Sequence, residues 1–260
     1  MTRHAAQRGE SEIIVFGRHP VRDAIRSDGV EVLEVKIARG ASGEDRRALR
    51  ELTERADIPV EEVARDALSR YSGASRHDQG IAAKVRLLRV MGVDAFLDGR
   101  KGRGARRPTR VIGLDGVTNS QNVGMVVRSV VAAGLDGLVW PLAGQPWVNG
   151  LVVRAAAGSI FECPILCCES LTVGLAALQG AGFACIGLDA GAEDSLFEDV
   201  PPHRAVYLLG SESQGLSQEV RAQLDRRVSI PIVGRLESLN VAVAAGLVCF
   251  HAAGLLTERS

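Results

Sequence analysis

The chain carries no excess of charge of either sign: lysine plus arginine and aspartate plus glutamate both number 31 in its 260 residues. That removes the overall positive field that would announce a polyanionic partner and leaves only local clustering to supply one. Cysteine is scarce as well. Five cysteines, an odd number in a chain this long, build no disulfide framework. Cys163, Cys167 and Cys168 sit in an apolar run and lack a second set of ligands at zinc-binding spacing. Buried thiols in a reducing cytoplasm, and no metal, are the expectation. Also missing are an apolar signal core in MTRHAAQRGESE and any uninterrupted apolar stretch of about 18 residues, so neither export nor a membrane span is expected. No GxxxxGK followed by serine or threonine occurs, and no GxGxxG follows a strand and opens a helix. ATPase and dinucleotide-binding readings thereby lose their main support.

What is present is the composition of a globular protein, 46% hydrophobic and 24% charged, arranged as an α/β pattern in two parts. A polar tail over residues 1–10, expected to be disordered, precedes the apolar run Ile13 to Phe16 and an amphipathic stretch around Val21, Ala24 and Ile25. VEVLEVKIA from Val30 and GIAAKVRLL from Gly80 read as strands, and DRRALRELTERA between them reads as a charged surface helix. These predict a small α/β domain over residues 11–92. The segment DGRKGRGARRP joins glycine and proline to Arg100, Lys101, Arg103, Arg106 and Arg107, with Arg110 just beyond, and predicts a basic flexible linker over 93–109.

From residue 110 to 260 strand and helix alternate: RVIGLDG, NVGMVVRSVVAAG, GLVWP, and later FACIGLDA, AVYLLGS, SQEVRAQL and RVSIPI. Such alternation predicts a mostly parallel sheet covered by helices on both faces. The last element, SLNVAVAAGLVCFHAAGLL, is apolar almost all round and requires burial on nearly every side. A second copy of the chain is the simplest extra cover, so a homodimer is expected.

Glycines follow strands at Gly116, Gly210 and Gly234, where an open α/β sheet binds ligands outside its carboxyl ends. Their neighbours Asn122, Arg128, Glu212, Ser238 and Asn240 are polar at the edges of apolar elements. Each also has a plain structural role open to it: a helix cap for Asn122 or Ser238, a solvated arginine for Arg128, a helix-dipole partner for Glu212. Asn240, one turn inside a buried helix, is harder to explain that way.

GLDGVTNSQNVGMVVRSVVAAGLDGLVWP, LLGSESQGL and VSIPIVGRLESLNVAVAAG closely resemble, in order and spacing, the motifs of the SpoU/TrmH family of RNA ribose methyltransferases in the SPOUT superfamily. VFGRHPVRDAIRS and RHDQGIAAKV are similar to the opening and closing parts of the substrate-binding domain that accompanies some members. The resemblance implies an α/β fold with a C-terminal trefoil knot, preceded by a small α/β RNA-binding domain. It implies S-adenosylmethionine as cofactor, RNA as substrate and a homodimer. By the same resemblance the backbone at Gly210, Ile230 and Leu239, with Leu209, Gly215 and Ile232 beside them, holds the cofactor. Asn122, Arg128, Glu212, Ser238 and Asn240 line the reaction site, while Arg18, His19, Arg103, Arg106 and Arg107 contact RNA. The stretch VRAAAGSIFECP departs from relatives, which often carry serine or cysteine near its alanines.

Methyl transfer from a sulfonium leaves the protein to align and activate the nucleophile, and a ribose 2′-hydroxyl must give up its proton as the bond forms. The family assigns that proton to the arginine that is Arg128 here, against the rule that arginine stays charged. Either Arg128 is held neutral, or it stays cationic, binds the neighbouring phosphate and leaves the proton to another acceptor. The expected substrate is a guanosine ribose in large-subunit ribosomal RNA. A transfer RNA methyltransferase and a catalytically silent RNA-binding or ribosome-assembly factor are the alternatives.

Overall fold

The structure is a computed structural model that describes residues 11–40, 43–100, 107–143 and 147–256. It divides into two compact units: residues 1–90 with 147–162, and residues 91–146 with 163–260.

In the first unit, β1 (Glu12–Phe16), β2 (Val30–Ala38), β3 (Val60–Val63) and β4 (Ile81–Leu87) form a sheet in the order β1-β4-β2-β3. β4 runs antiparallel to both of its neighbours, and β2 and β3 are parallel. The helices α1 (Arg18–Arg26), α2 (Gly43–Arg55) and α3 (Arg65–Ser72) complete it, with Phe16, Ala38, Leu68 and Ala82 packed as one buried cluster. The RHDQG run has a structural job. Fully buried Asp78 accepts from Ser72 Oγ at 3.1 Å and from Gly80 N at 2.9 Å, and pairs with Arg65, fixing the turn that launches β4.

The second unit holds β5 (Val90–Gly92), β6 (Thr109–Asp115), β7 (Gly137–Pro141), β8 (Ile165–Cys168), β9 (Ala184–Leu188), β10 (Arg204–Gly210) and β11 (Arg226–Val228) in the order β11-β9-β10-β6-β7-β8-β5. The pairings from β11 through to β8 are all parallel. Its central strands are apolar on both faces: Val111, Ile112 and Leu114 on β6, and Ala205 to Leu209 on β10, are buried. That is the signature of a parallel sheet covered on both sides. The helices are α4 (Val93–Asp98), α5 (Ser120–Ala132), α7 (Leu171–Gly180), the short α8 (Gln218–Arg221) and α9 (Val241–Ala252); α6 (Gly150–Ala156) belongs to the first unit.

Three expectations change here. The segment 93–109 is not all linker: Val93 and Phe96 of α4 are buried in the core of the second unit beside Val139, Leu166 and Leu175, because apolar side chains outweigh the glycine and charge that follow them. Of that segment, Arg103 and Arg106 lie outside the described residues, as does the 1–10 tail. The strand read as RVSIPI stops at Val228, short of Pro231, which has no N–H to donate to a ladder. And Asn240, not Ser238, caps α9, accepting from Ala242 N at 3.0 Å. Among the described residues no helix is long and apolar enough to cross a membrane.

Candidate functional site

Register places the site. Gly210 at the end of β10 stands opposite Asp115 at the end of β6, and Gly187 of β9 stands opposite Leu208, so three parallel strands stop at one level. Beyond them lies a cavity of about 300 Å³, a volume that suits a small organic ligand. Leu209, Gly210, Gly215, Ile230, Ile232 and Leu239 all line it, together with Glu212 and Ser238. Thus all the residues expected to hold a cofactor meet in one place. Gly116 and Gly234, the other strand-end glycines, are not among its walls.

Local chemistry explains the shape. At Gly210 an added Cβ would meet the carbonyl carbon of Gly215 at 2.0 Å, so the chain touches itself there and only glycine fits. Gly215 has φ +66° and closes the loop through paired backbone bonds with Ser211 of 2.8 and 3.1 Å. Asp115 braces the same loop by accepting from Ser217 N at 2.6 Å. The opposite wall, residues 230–239, takes no part in backbone–backbone hydrogen bonds among the described residues. Its peptide groups are therefore available to a ligand's polar edge while Ile230, Ile232 and Leu239 offer apolar contact.

At the rim three motifs converge. Asn119 caps α5 by accepting from Gln121 N and Asn122 N at 2.9 and 3.4 Å, which frees buried Asn122 from capping. Its Nδ2 donates to Glu212 Oε1 at 3.1 Å, and Asn240 Nδ2 donates to the same oxygen at 2.5 Å and to Asn122 Oδ1 at 3.3 Å. Residues 122, 212 and 240 thereby form one polar cluster, with Glu212 Oε2 left without a protein partner among the described residues. Such an arrangement orients a carboxylate as a proton acceptor beside the cavity.

Arg128 is not brought to this cluster within one chain. It lies six residues along α5 from Asn122, roughly 9 Å of helix rise, on the exposed side with Gln121 and Met125. Arg107 donates to buried Asp136 at 2.6 Å, as does Arg100, while Arg110 N binds the other carboxylate oxygen at 2.8 Å. Part of the basic stripe is thus committed internally. In the first unit Arg18 and His19 are exposed at the start of α1. Arg18 N donates to Gln79 Oε1 at 3.0 Å and Arg22 pairs with His19 Nδ1 at 2.8 Å, so the α1 start adjoins exposed Arg76 and His77.

Sequence reasoning missed Asp189, Arg221 and Glu237, which also line the cavity. Asp189 was within reach of it, since it follows the apolar strand FACIGL at a carboxyl end. Its Oδ2 accepts from Arg221 Nη1 at 2.6 Å and Arg227 Nη1 at 3.0 Å. Burial pushes its carboxyl up, but the Gly191 amide and the two guanidiniums outweigh that and hold it below the ordinary aspartate value.

The profile of the SpoU rRNA Methylase family matches residues 109–250, and that of the RNA 2′-O ribose methyltransferase substrate-binding domain matches residues 14–91. An uncharacterized tRNA/rRNA methyltransferase of Mycobacterium avium (strain 104) is 35% identical over 248 residues, 95% of this chain and 78% of its own. The crystal structure of the SpoU methyltransferase AviRb from Streptomyces viridochromogenes in complex with AdoMet superposes with a TM-score of 0.74 at 25% identity, covering 98% of this chain and 93% of that one. A protein solved for the 2-OH methylation of C/U34 on tRNA is 31% identical with a TM-score of 0.52, and covers 58% of this chain and 99% of its own.

Proposed function

The chain belongs to the SpoU rRNA methylase family, and from that premise we propose that it methylates the ribose 2′-hydroxyl of a guanosine in large-subunit (23S) ribosomal RNA. It is an S-adenosylmethionine-dependent tRNA/rRNA methyltransferase. One observation supports methylation of a hydroxyl: the Asn122–Glu212–Asn240 cluster sits at the rim of a cavity that Gly210, Ile230 and Leu239 line. When bound, S-adenosylmethionine supplies an electrophilic methyl group.

The residues divide the remaining work. Leu209, Ile230, Ile232 and Leu239 bind the apolar parts of the cofactor, and the backbone at Gly210 and Gly215 accommodates its close approach. Asn122 and Asn240 orient Glu212, and Ser238 lines the cavity beside them. Arg128 stays cationic and binds the phosphate beside the target ribose, and Glu212 Oε2 accepts the hydroxyl proton. Arg18, His19 and the neighbouring Arg76 and His77 contact RNA in the first unit, with Arg103, Arg106 and Arg107 adding salt-dependent affinity. The fold carries the trefoil knot of the SPOUT superfamily. A homodimer covers the face of α5 and α9 that bears exposed Met125 and Val243, and brings Arg128 into the interface. The buried free cysteines suit a cytoplasmic setting.

Mapping 2′-O-methyl marks in total RNA after gene deletion tests the substrate. Loss of a 23S guanosine mark is expected. Loss of a tRNA mark instead would favour the second reading, which the 31% identity to the C/U34 protein supports. No lost mark, with no S-adenosylmethionine binding, would leave a silent RNA-binding factor. Arg128→Lys should keep much of the RNA binding but lose most turnover, since lysine lacks the planar fork; near-normal turnover would refute the assignment.

A further inference from the structure

Arg221 is anchored in a way that leaves one of its nitrogens directed at the cavity wall. Nε donates to Leu216 O at 3.0 Å and Nη1 to Asp189 Oδ2 at 2.6 Å. Nη2 has no protein partner among the described residues, and it lies 3.5 Å from where a Cβ on Gly215 would stand. The guanidinium is therefore fixed over the loop whose backbone lines the cavity.

Asp189, the only carboxylate pairing with Arg221 among the described residues, already accepts three hydrogen bonds. Its Oδ1 accepts from Gly191 N at 3.0 Å and its Oδ2 from both Arg221 and Arg227. It holds the arginine and has little capacity left for a ribose diol. Asp189 is shared by two guanidiniums, so its charge does not fully neutralise Arg221. Glu212 and Glu237, which also line the cavity, bear the opposite sign. A ligand with separated charges would be oriented by that difference, its anionic group toward Arg221 and its cationic groups toward the glutamates.

We propose that Arg221 Nη2 binds the α-carboxylate of the methyl donor's amino-acid portion, with Asp189 as its positioning residue. This rests on reading the cavity as the S-adenosylmethionine site. A charge-assisted hydrogen bond of this kind is worth roughly 1.5–3 kcal/mol, which is a factor of about 10 to 150 in affinity.

The test measures dissociation constants by calorimetry for S-adenosylmethionine and for decarboxylated S-adenosylmethionine, which keeps the ammonium and loses the carboxylate. The wild-type protein should prefer the carboxylated ligand by about tenfold or more. Arg221→Ala should bind both ligands almost equally, with its affinity for the decarboxylated one unchanged. Asp189→Asn, which keeps the arginine but loosens it, should show an intermediate preference. Equal weakening of both ligands in Arg221→Ala would overturn the proposal, as would a wild-type protein that does not discriminate. If Arg221→Ala fails to fold, Arg221→Gln with the Asp189→Asn result decides in the same terms. Failure of the wild-type protein to bind either ligand would instead overturn the cofactor reading of the cavity, and this inference with it.

Discussion

Gly210 shows most directly how one residue makes the cavity. The Cβ of an alanine there would fall 2.0 Å from the Gly215 carbonyl carbon and 2.3 Å from Leu216 N. Both are backbone atoms, so neither can move aside cheaply. Gly210→Ala is expected to open the loop, lower the melting temperature and weaken S-adenosylmethionine binding by at least about tenfold, a loss of roughly 1.4 kcal/mol. Gly116→Ala is the control: its φ of +66° strains alanine, but the nearest atom would be 3.9 Å away. It should cost about 1–2 kcal/mol of stability and leave the affinity in place. Equal affinity in the Gly210 and wild-type proteins, measured by calorimetry, would show that the close contact is not what shapes the site. At this scale the shared cavity of Leu209, Gly210, Gly215, Ile230, Ile232 and Leu239 was legible because each lies inside a long ordered motif. The pairing of Arg221 with Asp189 was not, because an ion pair between residues 32 positions apart has no periodic trace in a sequence.

At the scale of an element, α9 is the instructive case. Its near-absence of polar residues predicted a helix buried all round, and Val241, Ala242, Ala245, Val248, Cys249 and Ala252 are buried. Its one strongly polar side chain, His251, is only 1% exposed. It meets Phe197 edge-on with ring centroids 6.5 Å apart, and its Nε2 has no hydrogen-bond partner among the described residues. Burial lowers its pKa below the ordinary value of 6.5, and nearby Arg110 adds to this, although Asp199 opposes it. The unfolded chain therefore binds a proton at a pH where the folded chain does not. Stability from this group is intact above about pH 6.5 and is lost as pH falls toward the depressed folded value. Asp199 itself is raised, chiefly by burial, so it favours the folded state as it protonates, in the window just above its ordinary 3.8. The melting temperature should thus fall between pH 7 and pH 5.5, and fall less in His251→Gln. An equal slope in both proteins would place the pH dependence elsewhere.

For the whole molecule, the two-part organisation and the parallel sheet were readable, since alternating apolar runs of strand and helix length leave few alternatives. The excursion of residues 147–162 into the first unit was not, because it depends on contacts between distant segments. The assembly lies between these cases. One chain covers most of α9 but leaves Val243 54% exposed, with Met125 of α5 at 41%, and α5 packs against α9. Large apolar side chains exposed on two packed helices mark a surface suited to a partner. Self-association through a two-fold axis would bury the same patch of both copies. Val243→Asp would then place a charge in that patch twice over, and a buried unpaired charge is costly. The wild-type protein is expected to run as a dimer in light scattering coupled to gel filtration, and Val243→Asp as a folded monomer with an unchanged far-ultraviolet spectrum. Because Arg128 stands on the same exposed side of α5 as Met125, the monomer should also lose most of its turnover while retaining S-adenosylmethionine binding. A wild-type monomer, or a Val243→Asp monomer with full activity, would mean that Arg128 acts within a single chain; a Val243→Asp protein that stays dimeric would mean that this face has another role.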